Sequence, residues 1–380
     1  MQSDTNNDAA LKGTVLILGA GNYQIDAIHY CKDAGYRVLG CSYRTNDPGI
    51  PLLDGFRQVD VRDPEGVTAY AREEGATLVY SVGSDVAIPS IAKACETLNL
   101  PHYISYETAC TCQDKGLMRT MLAKTDWSVP YVVASTADEA TQFGQYPAMM
   151  KPVDSQGQRG CFRVDSDDDI RRLFDDSVSY SSTGQVIVER FIDGPEISVN
   201  AFLWDGNIEF MMPSDRYSYS EFPGGIIKEH GLPCRALTER ASEAVGRLVK
   251  EVTETVGITD GPAYFQIKLD GEHPRVLEVT PRLDGCHMWR FIKHYCGYDL
   301  LAASFDALLD IRDNPQPEPQ PREGDWRLTF MSSKPGVPFD REAYDVSGAE
   351  YLQWYYETGD RVLISNGLME KCGYRIHRVG

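Results

Sequence analysis

Between residues 14 and 112 the chain alternates strand-like apolar runs with helix-like amphipathic ones, and that alternation constrains its fold more than any other feature. "TVLILGAG" reads as a buried strand ending in a glycine turn, and "IDAIHYCKDAGY" as a helix closed by Gly35. "RVLGCSY" and "TLVYSVG" are further strands, the second followed by the helix "VAIPSIAKACETLNL". Strand, helix and strand in turn require crossover connections, so an α/β fold with a parallel sheet is expected. The first turn, "LGAGNYQ", opens like a dinucleotide fingerprint, but Gln24 stands where the third glycine belongs. The second strand ends "GCSYR", without an acid for a ribose, and both departures weigh against NAD.

The pattern changes near residue 113. "QDKGLMRTMLAKTD" is expected as a helix with Leu117, Met118, Met121 and Leu122 on one face. Beyond it come the strands "PAMMKPV", "GCFRV", "VIVER" and "EISVNAFLW", with a helix capped by Ser166. "TERASEAVGRLVKEVTETVG" is a strongly amphipathic helix, opened by Thr238 and stopped by Gly257. The Pro-rich "NPQPEPQPREGD" cannot be helical and reads as a linker. These changes divide the chain into 1–112, 113–312 and 313–380, the last a small C-terminal subdomain. The chain of 380 residues is long enough for several cores.

A net charge of −19 argues against nucleic acid and anionic membranes as partners. The start, "MQSDTNNDAALKG", is unlike a signal peptide, and no run of about 18 apolar residues exists to span a bilayer. The ten cysteines show no metal spacing and read as reduced, mostly buried thiols. A cytoplasmic protein is expected.

Chemistry is concentrated in three stretches. In "FQIKLDGEHPRVLEVTPRLDG" a turn centred on Glu272 places Gln266 opposite Glu278, with Cβ atoms about 5 Å apart. Thr280 shares that face by the two-residue period. Carboxylate, amide oxygen and hydroxyl are hard donors of the kind magnesium takes, although a salt-bridged hairpin remains open. Arg282, just past the strand, offers a fork to a phosphate or an oxyanion. In "MMKPVDSQGQRGCFRV", Lys151 sits on a buried strand and needs an anion. The following loop, with Ser155, Gln156, Gly157, Arg159 and Gly160, can turn N–H groups toward phosphate, or is an ordinary glycine turn. In "VIVERFIDGPEISVNAF", Glu189, Arg190, Phe191 and Ile192 lead through a Gly-Pro turn to Glu196; by themselves they are a charged turn between strands.

The order "DKGLMRTML", "MKPVDSQGQRG", "VIVERFIDGPE", "FQIKLDGEHPRVLEVTPRLDG" closely resembles the ATP-grasp superfamily, from about residue 14 to 310. The resemblance implies an α+β ATP-grasp fold: a Rossmann-like parallel-sheet domain, then a two-part domain clamping ATP between two sheets. It implies ATP and Mg2+ (or Mn2+) as cofactors, with Lys115 and Lys151 on the phosphates. It implies that Ser155, Gly157 and Gly160 form a loop closing over them. Glu189, Arg190, Phe191 and Ile192 would form the adenine-reading hinge, and Glu196 would hold the ribose. Gln266 and Glu278 would be metal ligands and Arg282 the catalytic arginine, with Lys151 beside it. Thr280 departs from the family's asparagine and leaves a second metal position open.

The activity so implied is ATP-dependent ligation of a small-molecule carboxylate to an amine through an acyl phosphate. Alternatives are a non-catalytic nucleotide-binding protein and carbamoyl-phosphate-type activation. Family members often pair, which leaves a homodimer open. For substrate, residues 211–235 offer Arg216, Tyr219, Lys228 and His230, and the segment after the hairpin offers His287 and Arg290; each is otherwise a surface polar residue.

Overall fold

The computed structural model describes residues 11–155, 157, 159–221, 225–311, 316–364 and 369–380. Gln156, most of the polar N-terminal stretch and the start of the Pro-rich segment lie outside the described residues. Four strands, β1 (Thr14–Leu18), β2 (Arg37–Ser42), β3 (Gly55–Gln58) and β4 (Leu78–Tyr80), form a parallel sheet in the order β3-β2-β1-β4. The crossovers carry α1 (Ile25–Asp33) and α2 (Pro64–Glu73), and α3 (Ile88–Leu98) follows β4. Strand alternation sorts β1 between two cores. Leu16 and Leu18 pack with Val67 and Ile91 on one face; Val15 and Ile17 pack with Ile28 and Phe291 on the other.

Two helices, α4 (Tyr106–Gln113) and α5 (Lys115–Leu122), lead out of this unit. The expected apolar face of α5 is only half buried. Met118 and Leu122, one turn apart, are fully enclosed, whereas Leu117 and Met121 are exposed. The buried face is completed by Lys115 and Arg119, four residues apart, because their charges have partners inside.

A second sheet is small and antiparallel. β5 (Tyr131–Ala134), β6 (Ala148–Pro152), β7 (Phe162–Val164) and β8 (Val186–Arg190) run in the order β5-β8-β6-β7. α6 (Ala137–Thr141) and α7 (Asp167–Val178) cover one face, with Ile170 and Phe174 against Met150 and Val188. Ser166 caps α7 by accepting the Asp169 N–H.

The largest sheet has eight strands in the order β13-β12-β9-β10-β11-β14-β16-β15. It comprises β9 (Glu196–Trp204), β10 (Asn207–Ser218), β11 (Ile227–Leu232), β12 (Gly261–Asp270), β13 (His273–Thr280), β14 (Asp325–Ser333), β15 (Ala349–Trp354) and β16 (Glu370–Val379). α8 (Glu239–Val256) lays Val245, Leu248, Val249, Val252 and Val256 on one face, against Val199 and Phe265. Thr238 and left-handed Gly257 bound it, as the sequence suggests. α9 (Met288–Cys296) and α10 (Leu300–Leu308) follow the β12–β13 hairpin.

Among the described residues the C-terminal segment has no sheet of its own. Its strands pair onto β11 and bury Trp326, Leu328, Tyr374 and Ile376 in the core shared with Phe291 and Phe305. Among the described residues, the cluster Phe339, Val362 and Cys372 is private to it. A short stretch past a proline-rich linker looks autonomous in sequence because sheet pairing is non-local. All ten cysteines are free thiols. Among the described residues no helix is long and apolar enough to cross a membrane.

Because Trp326 fills the junction between the added strands and the rest, Trp326→Ala is expected to destabilise the whole protein by about 3–5 kcal/mol. Urea unfolding followed by circular dichroism checks this, with one shared transition expected rather than separate loss of the C-terminal strands.

Candidate active site

A cavity of about 560 Å³ opens between the small sheet and the large one, with the parallel-sheet unit closing one end. The small sheet contributes Lys151 from β6 and Glu189 from β8; Lys151 faces Ile187, two residues from Glu189, so the two side chains share a face. The Lys151 ammonium meets Glu189 Oε2 at 2.5 Å, and the Arg119 guanidinium meets Oε1 at 2.5 Å. Burial would raise the pKa of Glu189, but Arg119 and Lys151 outweigh it and hold the carboxyl down to about 2. The anion that Lys151 requires is therefore a residue of the protein, and the Glu189 side chain is a buried strut. Arg119 also donates to the carbonyls of Val276 at 2.7 Å and Leu277 at 3.3 Å, so one guanidinium ties α5 to both sheets.

Those two carbonyls lie where the β12–β13 hairpin is irregular. The turn is tighter than the sequence suggests: Asp270 pairs with His273, leaving Gly271 and Glu272 at the tip. A bulge between Gln266 and Ile267 then shifts the register by one, and Gln266 faces Glu278 after all. Tyr264 faces Thr280 two pairs further on. Gln266 donates its amide N–H to Glu196 Oε1 at 2.6 Å, which turns its carbonyl oxygen away from that contact. Glu196 is also paired with Arg216. Glu278 lines the cavity without an ion pair among the described residues, and the Thr280 hydroxyl is buried without a hydrogen-bond partner. A carboxylate without an ion pair opposite an amide side chain fits a hard divalent cation such as Mg2+. Thr280 itself does not line the cavity; two residue pairs beyond Glu278, its short side chain is 2% exposed.

Arg282 is buried at the end of β13, where Asp85 accepts from its guanidinium at 2.5 Å. Asp85 follows β4, at the carboxyl end of a parallel strand, where α/β sheets place ligand-binding groups. Sequence reasoning passed over it, although that position is the signal that finds it. Burial pushes the Asp85 carboxyl up, against the pull of Arg282. Arg119 was also missed; its spacing of four from Lys115 is the only local clue.

Of the other expected residues, Lys115, Ser155, Gly157, Arg190, Phe191, Ile192, Arg216 and Tyr219 border the cavity. Lys115 reaches across to the Ser155 carbonyl at 2.9 Å. Gly160 does not border it: its carbonyl accepts from Ser177, and a Cβ there would come within 2.9 Å of the Ser177 carbonyl, so its glycine serves packing on α7. Lys228 lies outside the cavity, 5.9 Å from the Tyr219 ring. His287 is buried outside it, bonded to the Tyr355 hydroxyl at 2.6 Å and stacked on Tyr374. Arg290 is taken up by Asp26 of α1 at 2.5 Å. Lys228 lies on β11 and Arg290 on α9, and His287 is the left-handed residue that opens α9. His230 is enclosed behind the cavity wall, with neither ring nitrogen bonded.

Residues 144–288 match the family described as the ATP-grasp domain. In sequence the chain is similar to formate-dependent phosphoribosylglycinamide formyltransferase of Mycobacteroides abscessus, 25% identical over 288 residues, covering 70% of this chain and 69% of that protein. The fold is shared with the L-amino acid ligase of Bacillus licheniformis, at a TM-score of 0.78 and 20% identity, covering 97% of this chain and 94% of that one. It is shared also with the biotin carboxylase domain of Hydrogenobacter thermophilus 2-oxoglutarate carboxylase, solved with MgADP and bicarbonate, at 0.77 and 16%, covering 97% and 86%.

Replacing Glu189 by Gln leaves two buried cations short of an anion, and an expected cost of about 3–5 kcal/mol follows. The folded pKa lies below the ordinary 4.5, so the stability that Glu189 contributes is complete above 4.5 and is lost as pH falls toward about 2. Acid titration of the urea midpoint is expected to fall less steeply across that window in Glu189→Gln than in the native protein.

Proposed function

We propose that this protein is an ATP-dependent, ADP-forming carboxylate–amine ligase working through an acyl phosphate. The observation that carries this reading is the convergence of Lys115, Lys151, Glu278 and Arg282 on one cavity between two sheets. Lys115 and Lys151 would neutralise a triphosphate, the 154–160 loop would cover it, and Glu196 beside Phe191 and Ile192 would meet the nucleoside. Glu278 and Gln266 would hold the Mg2+ bound with ATP, which supplies charge neutralisation at the phosphates.

A carboxylate is a poor electrophile. Attack by its oxygen on the γ-phosphorus of ATP breaks the bond to the β-phosphate oxygen and leaves ADP with an acyl phosphate. The amine then adds to the acyl carbon, and the tetrahedral oxyanion forms beside Arg282. Asp85 holds the guanidinium in place, so its donors need no reorganisation as charge develops. Collapse expels phosphate and leaves the amide. Water must be kept out while the acyl phosphate exists, which is the task assigned to the loop over the phosphates.

The test is hydroxamate formation from MgATP, hydroxylamine and a panel of small carboxylic acids. Arg282→Ala is expected to bind MgATP as the native protein does and to turn over at least about 100-fold more slowly. Because this change orphans Asp85, the double variant with Asp85→Asn is measured beside it and is expected to remain equally slow. Normal turnover in either variant removes Arg282 from the chemistry, and absence of MgATP binding in the native protein overturns the ligase reading.

A further inference from the structure

Past Arg282 the cavity ends in a group of side chains that the proposed reaction leaves unused. Asp284 is 1% exposed; its Oδ1 accepts the N–H groups of Cys286 at 3.0 Å and Met288 at 3.1 Å, and its Oδ2 is buried without a partner. Lys371 comes from β16, the strand added by the C-terminal segment. Its ammonium lies 3.3 Å from Cys286 Sγ and 3.7 Å from the centre of the Phe330 ring, with no ion pair among the described residues. Asp284, Cys286 and Lys371 all border the cavity.

Opposite charges enclosed together ordinarily pair, because an unpaired buried charge is costly. These two instead meet Cys286 separately, Asp284 at its backbone N–H and Lys371 at its sulfur, and both residues border the cavity with no ion pair between them. Asp284, Cys286 and His230 could be taken for metal ligands, since their ligand atoms lie within 4.8 Å of one another. The ammonium beside the sulfur opposes a second cation there, and Arg216 adds another positive charge to the neighbourhood of His230. A ligand carrying both charges suits the pair better.

Resting on the ligase reading, we propose that the amine substrate is an α-amino acid, its carboxylate held by Lys371 and its amino group by Asp284 Oδ2. The carboxylate fixed by Lys371 is not the one activated. The amino group next to Asp284, two residues from Arg282, is the nucleophile. Its ammonium gives one proton to Oδ2, the freed lone pair adds to the acyl carbon, and collapse breaks the bond to phosphate, which departs with the electron pair and takes the second proton from nitrogen. Burial pushes the Asp284 carboxyl up, which favours its taking that proton. The product is an N-acyl amino acid. The C-terminal strands thereby acquire a role: they deliver the residue that recognises the acceptor.

The experiment is isothermal titration of each of the common α-amino acids into the native protein, with and without Mg2+ and a non-hydrolysable ATP analogue. The tightest binder is compared with its des-amino acid and its decarboxylated amine. Both analogues are expected to bind at least 10-fold more weakly. Lys371→Met should weaken the amino acid and the des-amino acid at least 10-fold and leave the amine unchanged, with Lys371→Arg restoring binding. Asp284→Asn should weaken the amino acid and the amine and spare the des-amino acid. Failure of every amino acid to bind, or variants that affect both analogues alike, overturns the proposal. Analogue binding is recorded separately, so loss of the nucleotide site would sink the ligase reading while the amino-acid titrations still decide this one.

Discussion

Everything around the cavity depends on the burial of Arg119 against Glu189. A guanidinium with no solvent exposure is stable only if its donors are used, and here they reach a carboxylate on β8 and two carbonyls on β13. The small and large sheets share no strand pairing, so this side chain is a principal polar tie across their junction. Glu189 passes the constraint on to Lys151 through its other oxygen. The lysine is thereby held at the cavity wall by a neighbour that also lowers its net positive charge.

The hairpin shows how a correct inference can have an incomplete reason. Alternation of side chains fixes that Gln266 and Glu278 share a face, and a symmetric turn about Glu272 makes them opposite. The turn is one residue shorter, which alone would have set Gln266 against Leu277 and thrown Glu278 out of line. A bulge restores the pairing, and the carbonyls of Val276 and Leu277 beside it are those that Arg119 binds. Local pattern cannot reveal a bulge whose stabilising partner lies more than 150 residues away. The face was legible; the device that keeps it was not.

The same division runs through the rest of the chain. The strands and helices of the parallel sheet, the caps of α7 and α8, and the run of motifs from Lys115 to Arg282 are local signals and were readable. Asp85, Arg119 and Lys371 were not, because each matters through a contact made by tertiary packing. His287 and Arg290 erred in the other direction: polar residues next to the hairpin look available in sequence, yet Tyr355 and Asp26 had already engaged them. The apolar face assigned to α5 failed for a related reason, since a buried arginine with partners displaces methionine and leucine from the interior face.

Electrostatics gives the arrangement its logic. A chain of net charge −19 repels a nucleotide at long range, so attraction must be local. The cavity assembles Lys115, Lys151, Arg216, Arg282 and Lys371, and most of these are matched singly by a carboxylate or a carbonyl. Pairing lets such cations stay charged in a dry site without repelling one another apart. It also moderates each field, so an anionic ligand must compete with Glu189, Glu196 and Asp85 for its contacts. Lys371 is the exception, a cation that meets the Cys286 thiol and the Tyr23 hydroxyl but no carboxylate at ion-pair distance among the described residues. A site whose other cations are matched from within, while Lys371, Glu278 and Asp284 form no ion pair among the described residues, is poised for ligands that bring the complementary charges.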